Sequence, residues 1–312
     1  MAAAQAIILV EFVNFPGVMI PMSTEQAADI SVRRATQEDA ALCGKICFEA
    51  FSTVNMQHGF PCDFPESGMA IGLLTALFSA PGIYCVVAEV DGRVVGSNCL
   101  DERSIIGGVG PITVDPAVQN RGVGRKLMQT VMDRVSERGA AGVRLVQAGF
   151  NNQSLSLYAS LGFDVREHLA CMQGQTSERS VTGCRVRSAQ PADVPACGAL
   201  SMRVHGFNRS GELPHAIEEG TARVVEREGR ITGYTSNLAF FGHGTAETNV
   251  DLMALIASAE SFGGPGLLIP TRNSALFRWC LANGLRVVQP MTLMTMGLYN
   301  APAGAWFPSI LY

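Results

Sequence analysis

Apolar and polar positions along the chain alternate with two periods, and the switches between them mark out the elements. "ISVRRA" (30–35) has the alternation of a short strand, and "QEDAALCGKICFEAF" (37–51) the spacing of an amphipathic helix. "PESGMAIGLLTALFSA" (65–80) is a second helical run. "IYCVVAEV" (83–90) and "RVVGSNCL" (93–100) flank Asp91-Gly92, a hairpin turn signal. "GGVGPITV" (107–114) is the next strand, ending at Asp115-Pro116. The helix after it carries Val123, Leu127, Met128, Val131, Met132 and Val135 on one face, and Gly139 stops it. "VRLVQAGF" (143–150) is a strand, and "NNQSLSLYASLG" (151–162) a capped helix ending at Gly162. An antiparallel meander followed by a strand–helix–strand crossover predicts an α/β fold around a mixed sheet.

The segment "CMQGQTSERSVTG" (171–183) is polar and breaks the periodicity, so a linker is expected there. Beyond it the first half returns in weakened form. "VRRATQEDAALCG" (32–44) aligns with "VRSAQPADVPACG" (186–198), "DGRVVG" (91–96) with "EGRITG" (228–233), and "NNQSLSLYASLGF" (151–163) with "NSALFRWCLANGL" (273–285). The offsets shrink from 154 (186 − 32) to 137 (228 − 91) to 122 (273 − 151), in chain order. Three collinear matches predict two copies of one fold, the second having lost loops.

Composition narrows the class. The 312 residues suit two domains of ordinary size, and a hydrophobic content of 47% supplies buried sheets. A net charge of −4 without a long basic run argues against nucleic acid as a partner. Nine scattered cysteines form no Cys-x-x-Cys pair or Cys/His cluster, which predicts reduced thiols in a cytoplasmic protein and no metal. The opening "MAAAQAIILVEFVNFPGVMIPM" lacks Lys and Arg, and Glu11, Asn14 and Pro16 interrupt it, so neither a signal peptide nor a membrane span is expected. Residues 1–25 are read as a poorly ordered extension.

The chemistry gathers at "VDPAVQNRGVGRKLMQTVMDRV" (114–135). Gly122 and Gly124 let the backbone approach a ligand, because no Cβ stands in the way. The first-turn amides of the following helix lack internal partners, and the helix dipole adds positive potential. Arg121, Arg125 and Lys126 add charge, so the loop suits phosphate or pyrophosphate. It is not a P-loop, since Lys126 is followed by Leu127 and no hydroxyl is available for magnesium. It is not a dinucleotide fingerprint either, because "GVGRKL" lacks the third glycine.

In its order strand–Gln-x-x-Gly-x-Gly–helix–strand–"NNQSLSLYASLGF", the chain resembles the GNAT superfamily of acyl-CoA-dependent N-acyltransferases over residues 30–172. The motifs are most specific at 112–125 and 151–163. The resemblance implies that loop residues Gln119, Asn120, Arg121, Gly122, Val123, Gly124 and Arg125 hold the pyrophosphate of acetyl-CoA. It implies that the strand at Ile112 and Val114 pairs with the pantetheine arm, that Asn151 contacts the same arm, and that Tyr158 is the general acid. A phenol of pKa about 10 suits protonation of a departing thiolate. Fixed N–H donors suit the developing oxyanion, and holding both reactants in one cleft removes an entropic barrier.

The sequence departs from the family at the base. Many members carry a glutamate six residues before the last valine of the strand, and Gly108 stands there. Asp101 and Glu102, through water, and His58 are the candidates, with Glu102 put forward. In "HGFPCDFPE" (58–66), His58, Phe60 and Phe64 fall where the family's acceptor loop lies, and an aromatic pocket is one expectation; an apolar staple under a loop is the other.

The second half lacks the glycine step, Cys280 stands in register with Tyr158, and Asn273 alone survives. His205 and Arg209 there are read as belonging to a capped surface helix or to a cleft. The resulting expectation is two tandem GNAT-like domains, each a mixed, mostly antiparallel sheet flanked by helices. A catalytic domain spans 26–174, a degenerate copy 180–300, and an apolar tail 301–312 packs on the body or on a partner subunit, as in a homodimer. The expected activity is transfer of an acetyl group from acetyl-CoA to a primary amine, on a small molecule or a protein, by direct attack in a ternary complex. A non-catalytic acyl-CoA-binding module is the alternative. Neither metal, nucleic acid nor membrane is expected.

Overall fold

In the computed structural model, residues 29–177 and 180–311 are described; the extension expected over 1–25 lies outside them. The first half runs β1 (Ile30–Arg34), α1 (Ala40–Gln57), α2 (Ser67–Ser79), β2 (Ile83–Val90), β3 (Arg93–Asp101), β4 (Ile106–Val109), β5 (Thr113–Val114), α3 (Val123–Glu137), β6 (Gly142–Ala148), α4 (Asn152–Ser160) and β7 (Asp164–Gln173). The second half runs β8 (Arg185–Ser188), α5 (Val194–His205), α6 (Leu213–Glu218), β9 (Arg223–Arg227), β10 (Arg230–Thr235), β11 (Gly244–Ala246), α7 (Asn249–Ala257), β12 (Leu267–Pro270), α8 (Ser274–Ala282), β13 (Arg286–Gly297) and β14 (Ala305–Phe307).

The two halves share local devices at the sequence offsets noted above. Arg33 holds Asp39 at 2.8 and 2.9 Å and Glu89 at 2.9 Å. Arg187 holds Asp193 at 2.6 and 2.9 Å and Glu226 at 2.8 Å. Both aspartates also accept a backbone N–H, from Thr36 and from Gln190, and so lock the strand-to-helix turn. Asp91 and Glu228 take the same left-handed conformation, φ 52° and 53°, each followed by a glycine in its hairpin.

The sheets do not divide along the halves. One nine-stranded sheet has the order β1-β2-β3-β4-β6-β13-β7-β12, with β5 on β3; a five-stranded sheet has the order β14-β11-β10-β9-β8. All strand pairs are antiparallel except β4 with β6. The nine-stranded sheet thus takes strands from both halves of the chain. β13 lies between β6 and β7, and β7 in turn lies between β13 and β12. Each half therefore completes the other's hydrogen-bond ladder, and Leu169, Cys171, Leu268, Met291 and Leu293 share one buried core across the exchange.

Two boundaries differ from expectation. The linker starts after Gln173, because Cys171 and Met172 are fully buried members of β7. The strand expected over 107–114 is two pieces: Leu100 faces Val109 and Ser97 faces Thr113, so three residues oppose two and the ladder carries a bulge. The tail is built into the second sheet, since β14 pairs with β11 and Phe307 is fully buried beside Leu267 and Ile269. The α3 stripe is as expected. All six of its apolar residues are buried, each worth about 1.5–3 kcal/mol relative to exposure.

Candidate functional site

The bulge opens the sheet. β4 runs parallel to β6 as far as Val109 opposite Leu145. Beyond that pair the two part: Thr113 and Val114 lean onto β3, while Val146, Gln147 and Ala148 pair with β13 on their other side. Gly96 permits the lean, because a Cβ there would sit 2.6 Å from the Thr113 carbonyl oxygen. Pro111 in the parting segment has no N–H to offer a ladder.

A groove of about 380 Å³ leads out from this opening. Its wall runs from Ile112, Thr113 and Val114 past Gln119, Asn120, Gly122, Val123, Gly124 and Arg125 to Asn151, Leu157 and Tyr158. The loop is pinned at both ends. The Asp115 carboxylate accepts from the Ala117 N–H at 2.9 Å and pairs with Arg93 at 2.8 Å. The Gln119 amide donates to the Val114 carbonyl at 3.2 Å. Gly122 caps α3 with φ 90°, a backbone that side chains bearing a Cβ rarely adopt. A Cβ on Gly124 would meet only ordinary contacts, 3.5 Å from Leu157, so protein packing does not demand glycine there. The first bond across this helix start runs from Lys126 N–H to Gly122 O, at 3.0 Å, which leaves the amides of 123–125 aimed outward. Arg125 donates to Ser160 at 2.8 Å. Arg121 is exposed and stands outside the groove wall.

Asn151 is the N-cap of α4, its Oδ1 accepting from Ser154 N–H at 3.1 Å. Ser154 Oγ in turn donates to Gln147 Oε1 at 2.7 Å, tying the helix start to β6. Tyr158, one α4 turn further, is 6% exposed and packs against Phe163. Burial pushes its hydroxyl well above the usual phenol range.

Past these residues the groove meets a second cavity of about 150 Å³, and Phe51, Val54, Ile112, Asn151, Ser154 and Tyr158 line both. This chamber is mostly apolar. Phe64 and Leu73 come from the α2 side, Val109 and Leu145 from the sheet, and Phe240, Phe241, Ile310 and Leu311 from the second half and the tail. Among the described residues Asp63 is the one charged member of its wall. Its Oδ1 accepts from Gln289 at 3.1 Å, and burial pushes its carboxyl above the usual range.

Several expected site residues lie elsewhere. Glu102 is not at the opening: it is held by Arg134 at 2.7 Å and Arg138 at 2.6 Å, which keeps it ionised and lowers its pKa despite burial. Asp101 is clamped by Arg103. His58 is exposed at the end of α1, its Nδ1 against the Val54 carbonyl at 2.9 Å. Phe60 stacks on Phe150 at 4.2 Å, outside the chamber, so of the three loop residues put forward only Phe64 lines it. His205 and Arg209 are buried inside the second half rather than on a surface helix. Asp63 sat inside the quoted loop, and its isolation among apolar residues was the one available signal. Phe240, Phe241 and Leu311 had none.

In the second half, the helix start in register with the glycine loop is closed by its own side chains. Thr248 and Asp251 form a capping box on α7, and Asp251, fully buried, pairs with Arg227 at 2.9 Å. A carboxylate thus takes the place that an anion would occupy.

Residues 53–163 match the model of the acetyltransferase (GNAT) family. The mycothiol acetyltransferase of Nocardia farcinica (strain IFM 10152) is 38% identical over 110 residues, 32% of this chain and 36% of that protein. The [ribosomal protein bS18]-alanine N-acetyltransferase of Escherichia coli (strain K12) is 37% identical over 65 residues, 21% of this chain and 41% of that protein. The chain thus spans well under half the length of each of these relatives. A putative acetyltransferase from Pyrococcus horikoshii shares the fold, with a TM-score of 0.66 and 18% identity over 88% of this chain and 94% of that one. With the opened sheet, the glycine-entered helix and the capped α4 all inside the matched stretch, the chain carries a domain of the acetyltransferase (GNAT) family over residues 53–163.

Proposed function

We propose that the protein transfers an acetyl group from acetyl-CoA to a primary amine, both held at once. The observation that carries this reading is the shared wall: a polar, glycine-edged groove and an apolar chamber meet at Ile112, Asn151, Ser154 and Tyr158. A two-substrate reaction needs two compartments that join at one point. The groove fits coenzyme A in its donors, with outward amides at 123–125 for the pyrophosphate and an opened strand edge at 110–114 for the pantetheine arm. Acetyl-CoA supplies an activated acyl group and a thiolate leaving group. Tyr158 is the proton donor of this reading, at the junction of the two cavities. The bS18 relative acts on a protein amine, so protein and small-molecule acceptors both belong to the test.

We also read residues 26–174 as the catalytic unit and 180–300 as a degenerate copy that supplies β12, β13 and part of the chamber wall. The Arg33/Arg187 and Asn151/Asn273 pairs support that division. Seven thiols buried in apolar cores suit a reducing compartment, and the cytoplasm is the proposed location. Among the described residues no helix is long and apolar enough to cross a membrane.

One observation favours a second reading, an acyl-CoA-binding module without turnover: Gly108 stands at the strand position where the family resemblance implies a glutamate. Release of free thiol from acetyl-CoA across an amine panel separates the two. Turnover with any amine supports the transferase; tight acetyl-CoA binding with no turnover across small amines and N-terminal peptides supports the module.

A further inference from the structure

The chamber carries one formal charge, and its position invites a partner. Asp63 lies in the loop between α1 and α2, and its only charged or polar company in the wall is Asn55, Gln147, Asn151, Ser154 and the Tyr158 hydroxyl. Among the described residues no Lys, Arg or His forms an ion pair with it; Gln289 supplies a neutral hydrogen bond at 3.1 Å. A carboxylate taken from water into apolar surroundings is costly unless a cation meets it there. The rest of the wall is aromatic and aliphatic, with Phe51, Phe64, Phe240 and Phe241 as its largest members. Aromatic faces attract ammonium groups as well as apolar bodies.

We propose that the acceptor is a lipophilic amine bearing a single positive charge, with its apolar body among the four phenylalanines and its ammonium paired to Asp63. The inference rests on the acetyltransferase reading and narrows its acceptor. The pairing also disposes of the proton that blocks attack. The ammonium passes one proton to the Asp63 carboxylate, giving neutral amine and neutral carboxylic acid, so no net charge moves within the apolar chamber. The nitrogen lone pair then forms the C–N bond to the thioester carbon, the C–S bond breaks and the sulfur leaves with the electron pair; Tyr158 gives that sulfur its hydroxyl proton and takes the second N–H proton of the new amide, which restores the phenol. Asp63 returns its proton to solvent when product leaves. Burial that raises its carboxyl pKa favours the proton-transfer step. Polyamines and amino sugars fit poorly: the first would bury unpaired ammonium groups, the second unpaired hydroxyls.

The test compares 2-phenylethylamine and hexylamine with spermidine and glucosamine, on the full chain and on Asp63→Asn, with thiol release for turnover and calorimetry for acetyl-CoA affinity. The expected result is kcat/KM about tenfold or more higher for the lipophilic amines, from apolar burial alone. Asp63→Asn should lower that value about thirtyfold or more, as loss of one partner of a buried ion pair does, and should abolish the acid limb of its pH profile. Acetyl-CoA affinity unchanged in the variant shows that it is folded, and Asp63→Glu should restore part of the activity. A preference for the polar amines, or Asp63→Asn within threefold of the parent on lipophilic amines, overturns the inference while leaving the transferase intact. Acetyl-CoA binding with no turnover of either lipophilic amine overturns it too. Failure to bind acetyl-CoA at all removes the acetyltransferase reading and the inference together.

Discussion

Gln289 donates a hydrogen bond to Asp63 at 3.1 Å across 226 residues of sequence. The contact exists because β13 is inserted between β6 and β7, which carries a residue from the end of the chain under the loop between α1 and α2. The chamber wall is therefore made jointly by two segments that the sequence places far apart.

Asp63 makes stability depend on pH in a stated direction. Its folded pKa lies above its unfolded value, so the folded state binds more protons between the two, and stability falls as pH rises through that window. Asp63→Asn removes the ionisation. Its Tm should exceed that of the parent at pH 7, and the gain should shrink as pH falls through the raised folded-state pKa and vanish below the ordinary carboxylate range. A variant that is less stable at pH 7 and no better at pH 4 would contradict this.

Gln289→Leu removes the hydrogen bond that favours the charged form of Asp63 and keeps a similar volume. The Asp63 pKa should rise further, so the acid limb of the kcat/KM profile should move to higher pH while acetyl-CoA affinity holds. A profile identical to the parent's would dissociate Gln289 from the reacting carboxylate.

Gly122→Ala places a Cβ on a backbone with φ 90°. The strain should cost about 1–2 kcal/mol in urea unfolding, and because the cap of α3 must shift to relieve it, acetyl-CoA should bind more weakly. Gly124→Ala meets no backbone clash, so unchanged stability with weakened binding is the expected contrast.

Tyr158→Phe deletes one buried hydroxyl and leaves the ring's packing in place. As loss of a general acid it should lower kcat about 100-fold or more with little change in the acceptor KM. The hydroxyl titrates well above the usual phenol range, so the parent's profile should show no loss of rate near pH 10 from this residue.

Glu102→Gln tests the base put forward from the sequence. Bound by Arg134 and Arg138, Glu102 should matter for stability, by about 0.2–1 kcal/mol, and leave kcat within about threefold of the parent. Its folded pKa is depressed, so the contribution is present above its unfolded pKa and lost as pH falls through the folded one.

How much of this was legible in the sequence follows the range of the interactions. Asp91-Gly92 announced its hairpin, Asn151 its helix cap and the 123–135 stripe its buried face, because each depends on neighbours within a few residues. The glycine loop was legible for the same reason: the conformation of Gly122 and the free amides after it are local properties. The surroundings of Glu102 were not legible, because its carboxylate is held by Arg134 and Arg138, more than thirty residues away.

By itself, then, the sequence determined most of the first-half elements, the glycine-entered helix start and the repeated segments 32–44 and 186–198, all set by local backbone preference and neighbouring residues. Only the tertiary structure decided that β7 and β13 exchange places, that the C-terminal strand closes the second sheet, and that Asp63 stands as the lone charge in an apolar chamber. Strand order and burial depend on which ladders and apolar faces complete one another across the whole chain, and no local pattern encodes that choice.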